Sequence, residues 1–511
     1  MKKILFAAAE AVPFVKTGGL ADVVGSLPKY FPKKNYDVRV VLPKYRFLAE
    51  TYRSRMERVG VCSVYFHKKN QYAGIDRLVE DGVTFYFIDS ETYFVGDAPY
   101  GELERDAEKF AFFSMTVVAM LESIKFQPDI IHCHDWHTGL VPAFLEAFCR
   151  GEKFYHDVCF VYTIHNLAYQ GGRPIDEFRP LTKLPDAYFT EELLVKDGEV
   201  NPLKGGIVFS DYVTTVSETY AREIQTPERG EELDELLRAR SDHLVGILNG
   251  LDYQDQDPET DPRIAHRFTG DLIGYKSANK ADLQRELRLD EREEIFLIGM
   301  VSRLTDQKGF DLVEPILDEI LSSGEVQLAV LGTGEEQYET MFRNYAEKYP
   351  GRISANIGYS EELAQRIYAS CDAFLMPSLF EPCGLSQLMA LRYGTVPLVH
   401  KTGGLADTVE PYDESEHTGT GFCFPDCEAD EVRDMICRAR KVFVESPEEW
   451  KGIIERGMAA DFSWNASCEK YAALYDRVIK EAAARRAQEK ADAAREKKAA
   501  RKAEKAARKD Q

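Results

Sequence analysis

The chain has 511 residues, of which 44% are apolar and 29% are charged, a composition typical of a globular protein with more than one domain. Its 64 Lys and Arg face 86 Asp and Glu, and the net charge of −22 disfavours a dedicated binder of nucleic acid or anionic membranes. No stretch reaches the roughly 18 to 20 apolar residues of a membrane span. We therefore expect neither nucleic acid nor a membrane as a partner.

The opening MKKILFAAA has two readings, a signal peptide or a buried first strand. Glu10 ends the apolar run early and a Gly-rich turn follows, so we favour the strand. The ten Cys are scattered without a CxxC pair, and a chain of this length does not need disulfides. The expected location is therefore the cytoplasm.

Short apolar runs alternate with helix-like segments along the chain. This alternation predicts α/β domains with parallel sheets covered on both faces. The predicted strands are 2–8, 37–42, 83–88, 129–133, 158–164, 295–301, 326–331, 353–357, 372–376 and 395–399. A polar stretch at 252–292 separates the two groups, and we place the domain junction near residue 260.

A nine-residue sequence occurs twice, as KTGGLADVV at 16–24 and as KTGGLADTV at 401–409. Both copies follow a predicted strand and continue as predicted helices. The Gly pair allows a ligand to approach the backbone, and N–H groups at a helix start attract anions. The alternative is a helix-entry turn used twice for packing. The repeat suggests two similar doubly wound domains.

From residue 481 the sequence is rich in Ala, Lys, Arg and Glu and has almost no large apolar residue. Helix propensity is high, but no apolar stripe is available for packing. We predict a solvated helix over 481–511; the alternative is a weak electrostatic tether.

Two clusters of polar residues follow predicted strands in the first half of the chain. HCHDWHTGL at 132–140 offers three His and Asp135, but neighbouring strand residues point to opposite faces, so a metal site is disfavoured. Asp135 is instead a candidate to touch a substrate or orient a neighbour. YTIHNLAYQG at 162–171 offers His165 and Asn166 to hydrogen-bond a polyol, or as a buried pair that stabilises the loop.

Two further clusters lie in the second half. VSRLTDQKGFDLV at 301–313 holds Arg303 and Lys308, two cations that suit a diphosphate, although each could form a surface ion pair instead. Glu381 lies between a predicted strand and helix, where a carboxylate can accept sugar hydroxyls or cap the helix. Motifs of P-loop NTPases, simple dehydrogenases, zincins and α/β-hydrolases are absent from the sequence.

Taken in order along the chain, these motifs resemble those of the bacterial glycogen synthases, which are similar to plant starch synthases. The motifs are KTGGLADVVGSLP, HCHDWHTGLVP, TIHNLAYQG, LKGGI, VGILNGLD, VSRLTDQKG and EPCGLSQLMALRYG, within residues 1–475. The resemblance implies a glycosyltransferase-B fold, with two Rossmann-like domains facing a cleft. It implies transfer of glucose from ADP-glucose to the non-reducing end of an α-1,4-glucan such as glycogen, with retention and without a metal or other cofactor.

The predicted domain bounds are 1–260, 261–460 and 461–480, with the tail 481–511 outside the family core. The resemblance implies that the first domain is on the acceptor side, that the second is on the nucleotide-sugar side and that 461–480 crosses back. It also implies residue roles. Asp135, His165, Glu381, Arg303 and Lys308 would be catalytic, the last two as the diphosphate clamp. The implied substrate-binding residues are Lys16, Gly19, Asn249, Cys383, Gly384, Leu385, Thr402 and Gly403.

The sequence departs from the family pattern at two places. After NGLD it has Gln256-Asp257-Pro258 where Trp-Asn-Pro is usual, and it has Gly230-Glu231-Glu232-Leu233 where Gly-x-Gly-Leu is usual. Two alternatives remain open. One is a related retaining transferase that uses UDP-glucose or another nucleotide sugar, although Met389 stands eight residues after Glu381, where many of those enzymes have a second Glu. The other is a non-catalytic glucan-binding protein.

Overall fold

The computed structural model describes residues 1–507, and the side chains of residues 1–496. Two compact units are formed: unit 1 comprises 1–214, 224–245 and 467–511, and unit 2 comprises 215–223 and 246–466. Within the described residues, no helix is both long and apolar enough to cross a membrane.

The strands and helices follow each other in a largely alternating order. The strands are β1 Lys2–Ala7, β2 Tyr36–Pro43, β3 Glu57–Phe66, β4 Lys69–Glu80, β5 Val83–Asp89, β6 Ile130–His134, β7 Cys159–Ile164, β8 Arg173–Pro174, β9 Val195–Lys196, β10 Glu199–Val200, β11 Tyr212–Thr215, β12 Leu244–Gly246, β13 Phe296–Val301, β14 Val326–Gly332, β15 Ile353–Ile357, β16 Ala373–Met376, β17 Val396–His400 and β18 Phe422–Phe424.

The helices are α1 Gly19–Tyr30, α2 Glu50–Arg53, α3 Leu103–Ser123, α4 Val141–Phe148, α5 Ile175–Phe178, α6 Pro202–Phe209, α7 Glu218–Glu223, α8 Asp234–Ala239, α9 Leu272–Glu286, α10 Phe310–Ser322, α11 Glu336–Lys348, α12 Glu361–Ser370, α13 Ser386–Arg392, α14 Gly403–Thr408, α15 Ala429–Glu445, α16 Pro447–Ala459 and α17 Trp464–Ala507. In residues 1–507, five 3-10 turns connect some of them: Trp136–Thr138, Arg179–Leu181, Asp186–Tyr188, Ser241–His243 and Asp306–Lys308.

Unit 1 contains a nine-stranded sheet in the order β12-β11-β7-β6-β1-β2-β5-β4-β3. The pairs β5–β2, β2–β1, β1–β6 and β6–β7 are parallel, and β3 and β4 form an antiparallel hairpin at one edge. Strand order reverses between β1 and β6, so a crevice opens at their carboxyl ends, where doubly wound sheets bind ligands.

Unit 2 contains a six-stranded parallel sheet in the order β15-β14-β13-β16-β17-β18. Its central strands are continuous apolar runs; FLIGMV in β13 and VQLAVLG in β14 are buried almost throughout. Such runs are expected where helices cover both faces of a sheet. The order reverses between β13 and β16, which defines the crevice of this unit.

All ten predicted strands are present, within one or two residues of their predicted ends. The hairpin β3–β4 was not predicted, and the short strands β8 to β12 and β18 were also missed. The hairpin lies at a sheet edge with many exposed positions, so its sequence lacks the continuous apolar run of the buried strands.

The unit boundaries differ from the predicted junction. Unit 2 begins its main segment at Gly246 rather than near residue 260, and it also takes the short segment 215–223 that carries α7. The strand that ends unit 1 before this junction is the three-residue β12, which is too short to show as an apolar run.

The C-terminal helix α17 packs on unit 1 beyond the predicted limit at residue 480. Ala482 is buried, the Tyr212 hydroxyl donates to Glu481 Oε2 at 2.9 Å, and Arg485 pairs with Asp211 at 2.6 Å. A small Ala and long charged side chains make these contacts, so no stripe of large apolar residues is needed. The predicted solvated segment therefore begins later than 481, and the side chains of 497–511 lie outside the described residues.

Candidate active site

The crevice of unit 2 brings together two of the predicted site residues. Lys308 ends the 3-10 turn after β13, and Glu381 lies in the loop after β16. Lys308 Nζ donates to Glu381 Oε2 at 2.6 Å, and the Ser378 hydroxyl donates to the same oxygen at 3.1 Å. Because parallel strands end at one edge of the sheet, residues 73 positions apart meet here.

One backbone and one side-chain hydrogen bond hold the two loops of this crevice against each other. Leu379 N–H donates to the Gln307 carbonyl at 2.9 Å, and Gln307 Nε2 donates to the Phe380 carbonyl at 3.1 Å. Arg303, two residues after β13, is exposed, and its guanidinium has no ion-pair partner among the described residues. Of the two predicted clamp cations, Lys308 thus has an ion-pair partner and Arg303 has none among the described residues.

The second Gly-rich loop contacts the Glu381 loop directly. Gly403 has φ +43°, and a Cβ there would lie 2.0 Å from the Glu381 carbonyl oxygen. Gly404 N–H donates to that same carbonyl at 3.0 Å. In this copy of the repeat, the Gly pair serves close backbone packing, the alternative reading of the sequence.

The carboxylate of Glu223 lies at the start of α14, where the sequence predicts phosphate oxygens of the nucleotide sugar. Gly403 N–H donates to Glu223 Oε1 at 2.9 Å, and the Thr402 hydroxyl donates to it at 3.1 Å. The Thr402 hydroxyl and the Gly403 N–H, which were predicted to bind the phosphates of the nucleotide sugar, are therefore hydrogen-bonded to a carboxylate. The phosphate contacts of Thr402 and Gly403 remain a prediction.

The remaining predicted residues of unit 2 surround a buried thiol. Cys383 is buried, and burial raises its pKa to about 12, although Asn249 hydrogen-bonds to it. Gln387 Nε2 donates to the carbonyls of Cys383 and Gly384 at 3.0 and 3.1 Å, which fixes the turn before α13. Leu385, directly before that helix, is half-buried. A thiol of this kind is a packing group and not a nucleophile.

The crevice of unit 1 joins Asp135 and His165. Asp135 follows β6 with φ +55°, and its Oδ1 accepts from the His165 backbone N–H at 2.7 Å. Burial raises the pKa of Asp135 to about 7 against the lowering effect of the His165 and Asn166 N–H groups, and the charge of Glu10 raises it further. The carboxyl group can therefore be protonated near neutral pH, a tuning that the sequence did not indicate.

The imidazole of His165 is bound by a second histidine. His134, the last residue of β6, has its Nδ1 3.0 Å from His165 Nε2. Burial lowers the pKa of His165 to about 3 and holds that of His134 well below its usual range, so both rings are neutral. In the described part of the chain, no three His, Cys, Asp or Glu side chains are grouped to hold a metal ion.

The first Gly-rich loop is held by a carboxylate as well. Lys16 pairs with Asp22 at 2.8 Å, and Gly19 begins α1. Glu10 accepts from the Thr17 N–H at 2.5 Å and the Thr17 hydroxyl at 2.9 Å. The Tyr100 hydroxyl donates to Glu10 at 3.0 Å, and burial raises the pKa of this carboxyl. Both copies of the repeat thus have their Thr bound by a Glu.

Comparison with known proteins assigns the chain that forms these two crevices to a family. Residues 3–239 match the family described as "Starch synthase catalytic domain", and residues 279–447 match "Glycosyl transferases group 1". The chain is 54% identical over 478 residues to the glycogen synthase of Lachnospira eligens, covering 93% of this chain and 100% of that protein. It is 51% identical over 477 residues to the glycogen synthase of Lachnoclostridium phytofermentans, with 93% and 100% coverage. The chain belongs to the glycogen synthase family.

A solved structure agrees with this assignment. The catalytic domain of Starch Synthase IV from Arabidopsis thaliana, bound to ADP and acarbose, matches with a TM-score of 0.86 and 32% identity over 94% of this chain and 99% of that one. The chain is therefore a glycosyltransferase of the glycosyltransferase-B type. The predicted family and the prediction of two Rossmann-like α/β domains are confirmed.

Three residues of these crevices were missed by the sequence reasoning. Glu10 ends the first apolar run of the sequence, and a carboxylate just beyond the carboxyl end of a buried strand is a signal of a site. Tyr100 and Glu223 lie in segments without a motif, and no signal in the sequence connects them to Glu10 or to Thr402.

The two departures from the family pattern have different surroundings. Gln256 is buried inside unit 2, where Gln365 Nε2 donates to its Oε1 at 2.7 Å and Arg392 Nε donates to its carbonyl at 3.2 Å. It is thus a polar packing residue of that unit. Glu231 and Glu232 have φ +49° and +61°, the left-handed region that a Gly adopts without strain.

Proposed function

We propose that this protein transfers glucose from ADP-glucose to the non-reducing end of an α-1,4-glucan with retention of configuration. The observation that carries the proposal is the meeting of Lys308 and Glu381 at the unit 2 crevice, 2.6 Å apart, with the Arg303 guanidinium two residues beyond β13. Support comes also from the starch synthase structure, which was solved with ADP and acarbose.

In this proposal, Lys308 and Arg303 bind the diphosphate. As the bond to glucose breaks, negative charge grows on the departing phosphate, and preorganised cations stabilise it. Glu381 then exchanges the Lys308 ammonium for hydroxyl groups of the donor sugar. Asn249, Cys383, Gly384 and Leu385 form the wall that holds the glucose, with Thr402 and Gly403 near the phosphates.

The residues of unit 1 serve the transferred glucose. His165 is neutral and can offer a hydrogen bond to a sugar oxygen without adding a third cation to Arg303 and Lys308. Asp135 positions His165 through its backbone N–H, and Lys16 and Gly19 contact the donor from the first Gly-rich loop. The acceptor hydroxyl attacks on the face from which the diphosphate leaves, and a phosphate oxygen accepts its proton.

A donor-dependent assay tests the proposal. The protein is incubated with radiolabelled ADP-glucose or UDP-glucose, each with and without glycogen primer. We expect incorporation that requires primer and is at least tenfold faster with ADP-glucose. Preference for UDP-glucose would support the related transferase instead. Primer binding without transfer from either donor would support a glucan-binding protein.

We also propose a cytoplasmic location. All ten cysteines lie within the described residues and are free thiols, which suits a reducing compartment. Labelling of intact cells with a membrane-impermeant thiol reagent should leave the protein unmodified, and modification in intact cells would contradict this location.

A further inference from the structure

The ring of His165 has one hydrogen-bond partner in the described part of the chain, the ring of His134. His134 is fully buried at the end of β6, and its ring lies 5.2 Å from Phe6 and 4.2 Å from His132, centroid to centroid. These two ring contacts, together with its complete burial, hold the plane of the His134 ring. The direction of its Nδ1 toward His165 is therefore set by the core of unit 1.

Two neutral imidazoles that share one hydrogen bond must divide the roles of donor and acceptor. His134 Nε2 is buried and has no hydrogen-bond partner among the described residues. A proton on that nitrogen would create a buried N–H without an acceptor, which proteins strongly avoid. The His134 proton is thus favoured on Nδ1, from where it donates to His165 Nε2.

We propose that His134 is a positioning residue that fixes the tautomer of His165, so that His165 carries its own proton on Nδ1. This inference rests on the proposed function, in which His165 meets an oxygen of the transferred glucose. With Nε2 occupied as an acceptor, Nδ1–H is the group left to donate to that oxygen.

The neighbouring groups cannot set the tautomer in the same way. Asp135 binds the backbone N–H of His165 and not its ring. His132 uses both nitrogens elsewhere, with Nδ1 2.7 Å from the Tyr475 hydroxyl and Nε2 2.6 Å from the Thr163 hydroxyl. Hydroxyls can donate or accept, so these two hydrogen bonds form with either tautomer of His132. They therefore impose no preferred tautomer on His165.

Nitrogen NMR of the full chain labelled with 15N-histidine tests the inference without any need for activity. The chain has ten His, and the His165 signals are assigned from their loss in His165→Gln. We expect a protonated Nδ1 and an unprotonated Nε2 in the wild type. In His134→Leu, which fills the site without a nitrogen, the pattern should move toward the Nε2-protonated form. A His165 protonated on Nε2 in the wild type would overturn the inference, even if His134→Leu did not fold.

Kinetics provide the second readout. His134→Leu should lower kcat about tenfold, the value of one hydrogen bond of about 1.4 kcal/mol, with KM for ADP-glucose unchanged. His134→Asn, whose amide can donate from near the position of Nδ1, should recover most of the loss, and His156→Asn, at an exposed histidine, serves as the control. Equal losses in the Leu and Asn variants would show a merely structural role. If the wild type transfers no glucose but has the expected tautomer, the proposed function fails and the tautomer assignment stands.

Discussion

Lys308 Nζ and Glu381 Oε2 lie 2.6 Å apart in the crevice of unit 2, and their side chains are 14% and 9% exposed. Each belongs to a different motif, and each was assigned to a different part of the donor. A pair so little exposed is stable only while both partners are present. In the proposed function, donor binding therefore exchanges the partners of both groups at once, the cation toward phosphate and the carboxylate toward sugar hydroxyls.

Removal of either cation should reduce turnover. Lys308→Ala and Arg303→Ala should each lower kcat by about 10²–10³, the usual effect of removing one preorganised group that stabilises developing charge. Initial rates with saturating ADP-glucose and glycogen measure this. Lys348→Ala removes an exposed lysine that also pairs with one carboxylate, and it should leave the rate unchanged.

Measurements of the free energy of unfolding distinguish the role of Lys308 in diphosphate binding from its role as the ion-pair partner of Glu381. Lys308→Ala leaves the Glu381 carboxylate without its ammonium and should cost about 1–3 kcal/mol in the free energy of unfolding. Adding Glu381→Gln removes the charge and should recover most of that cost in urea titrations, without recovering kcat. Recovery of both quantities together would contradict the assignment of Lys308 to the diphosphate.

Much of the fold can be predicted from the sequence because buried parallel strands have continuous apolar sequences, as FLIGMV of β13 does. The hairpin β3–β4 is half exposed at an edge and lacks that pattern. The motifs identify Lys308 and Glu381 as candidate site residues. Their contact could not be predicted because it depends on the order of strands in the sheet, which local sequence does not determine. The same holds for Glu223, whose hydrogen bond to Gly403 spans 180 positions.

The position at which α17 stops docking can be measured by truncation. Ending the chain after Lys480 removes buried Ala482 and the contacts of Glu481 and Arg485 with unit 1. We expect a loss of about 1 kcal/mol in the free energy of unfolding, from one hydrogen bond and a small buried surface. Ending it after Lys490 should change nothing. Equal stability of both truncated forms and the full chain would support a helix that is solvated from residue 481.

Asp135 should make stability depend on pH. Its pKa is raised from 3.8 to about 7 in the folded protein, so the folded state binds more protons between these values and stability falls as pH rises across them. Asp135→Asn removes this effect, and its stability relative to the wild type should grow by about 1–4 kcal/mol from pH 4 to pH 8. Asp186→Asn, at an exposed carboxylate, is the control for urea titrations at the two pH values. A constant difference between Asp135→Asn and the wild type would contradict the raised pKa.

Glu232 should be a point of backbone strain. It has φ +61°, and it stands where the resemblance to the family implies a Gly, while its carboxylate pairs with Lys196. Glu232→Gly should raise the free energy of unfolding by about 0.5–1 kcal/mol, because the strain relieved exceeds the value of an exposed ion pair. Glu232→Ala loses the ion pair but keeps the strain, so it should be no more stable than the wild type. Equal stability of the Gly and Ala variants would show that φ is not the cause.

The last prediction is that no covalent glucosyl-enzyme forms. Double displacement needs a carboxylate nucleophile, and the candidates near the two crevices are Asp135, Glu381, Glu10 and Glu223. Glu223 accepts from the Thr402 hydroxyl and the Gly403 N–H. Asp135 accepts from the backbone N–H groups of His165 and Asn166. Glu381 holds Lys308 and Ser378, and Glu10 holds Thr17 and Tyr100.

Carboxylates bound in this way are positioned to orient neighbours, and Asp135, with its pKa raised to about 7, is a poor nucleophile in the fraction that is protonated near neutral pH. Attack on the face of the departing diphosphate gives the same α linkage without an enzyme-bound sugar. Mass spectrometry of Lys308→Ala, slowed and incubated with ADP-glucose alone, should find the unmodified mass. A stable increase of one glucosyl group on Asp135, Glu381, Glu10 or Glu223 would establish double displacement, and Asp135→Asn or the matching Gln variants would identify the residue that carries it.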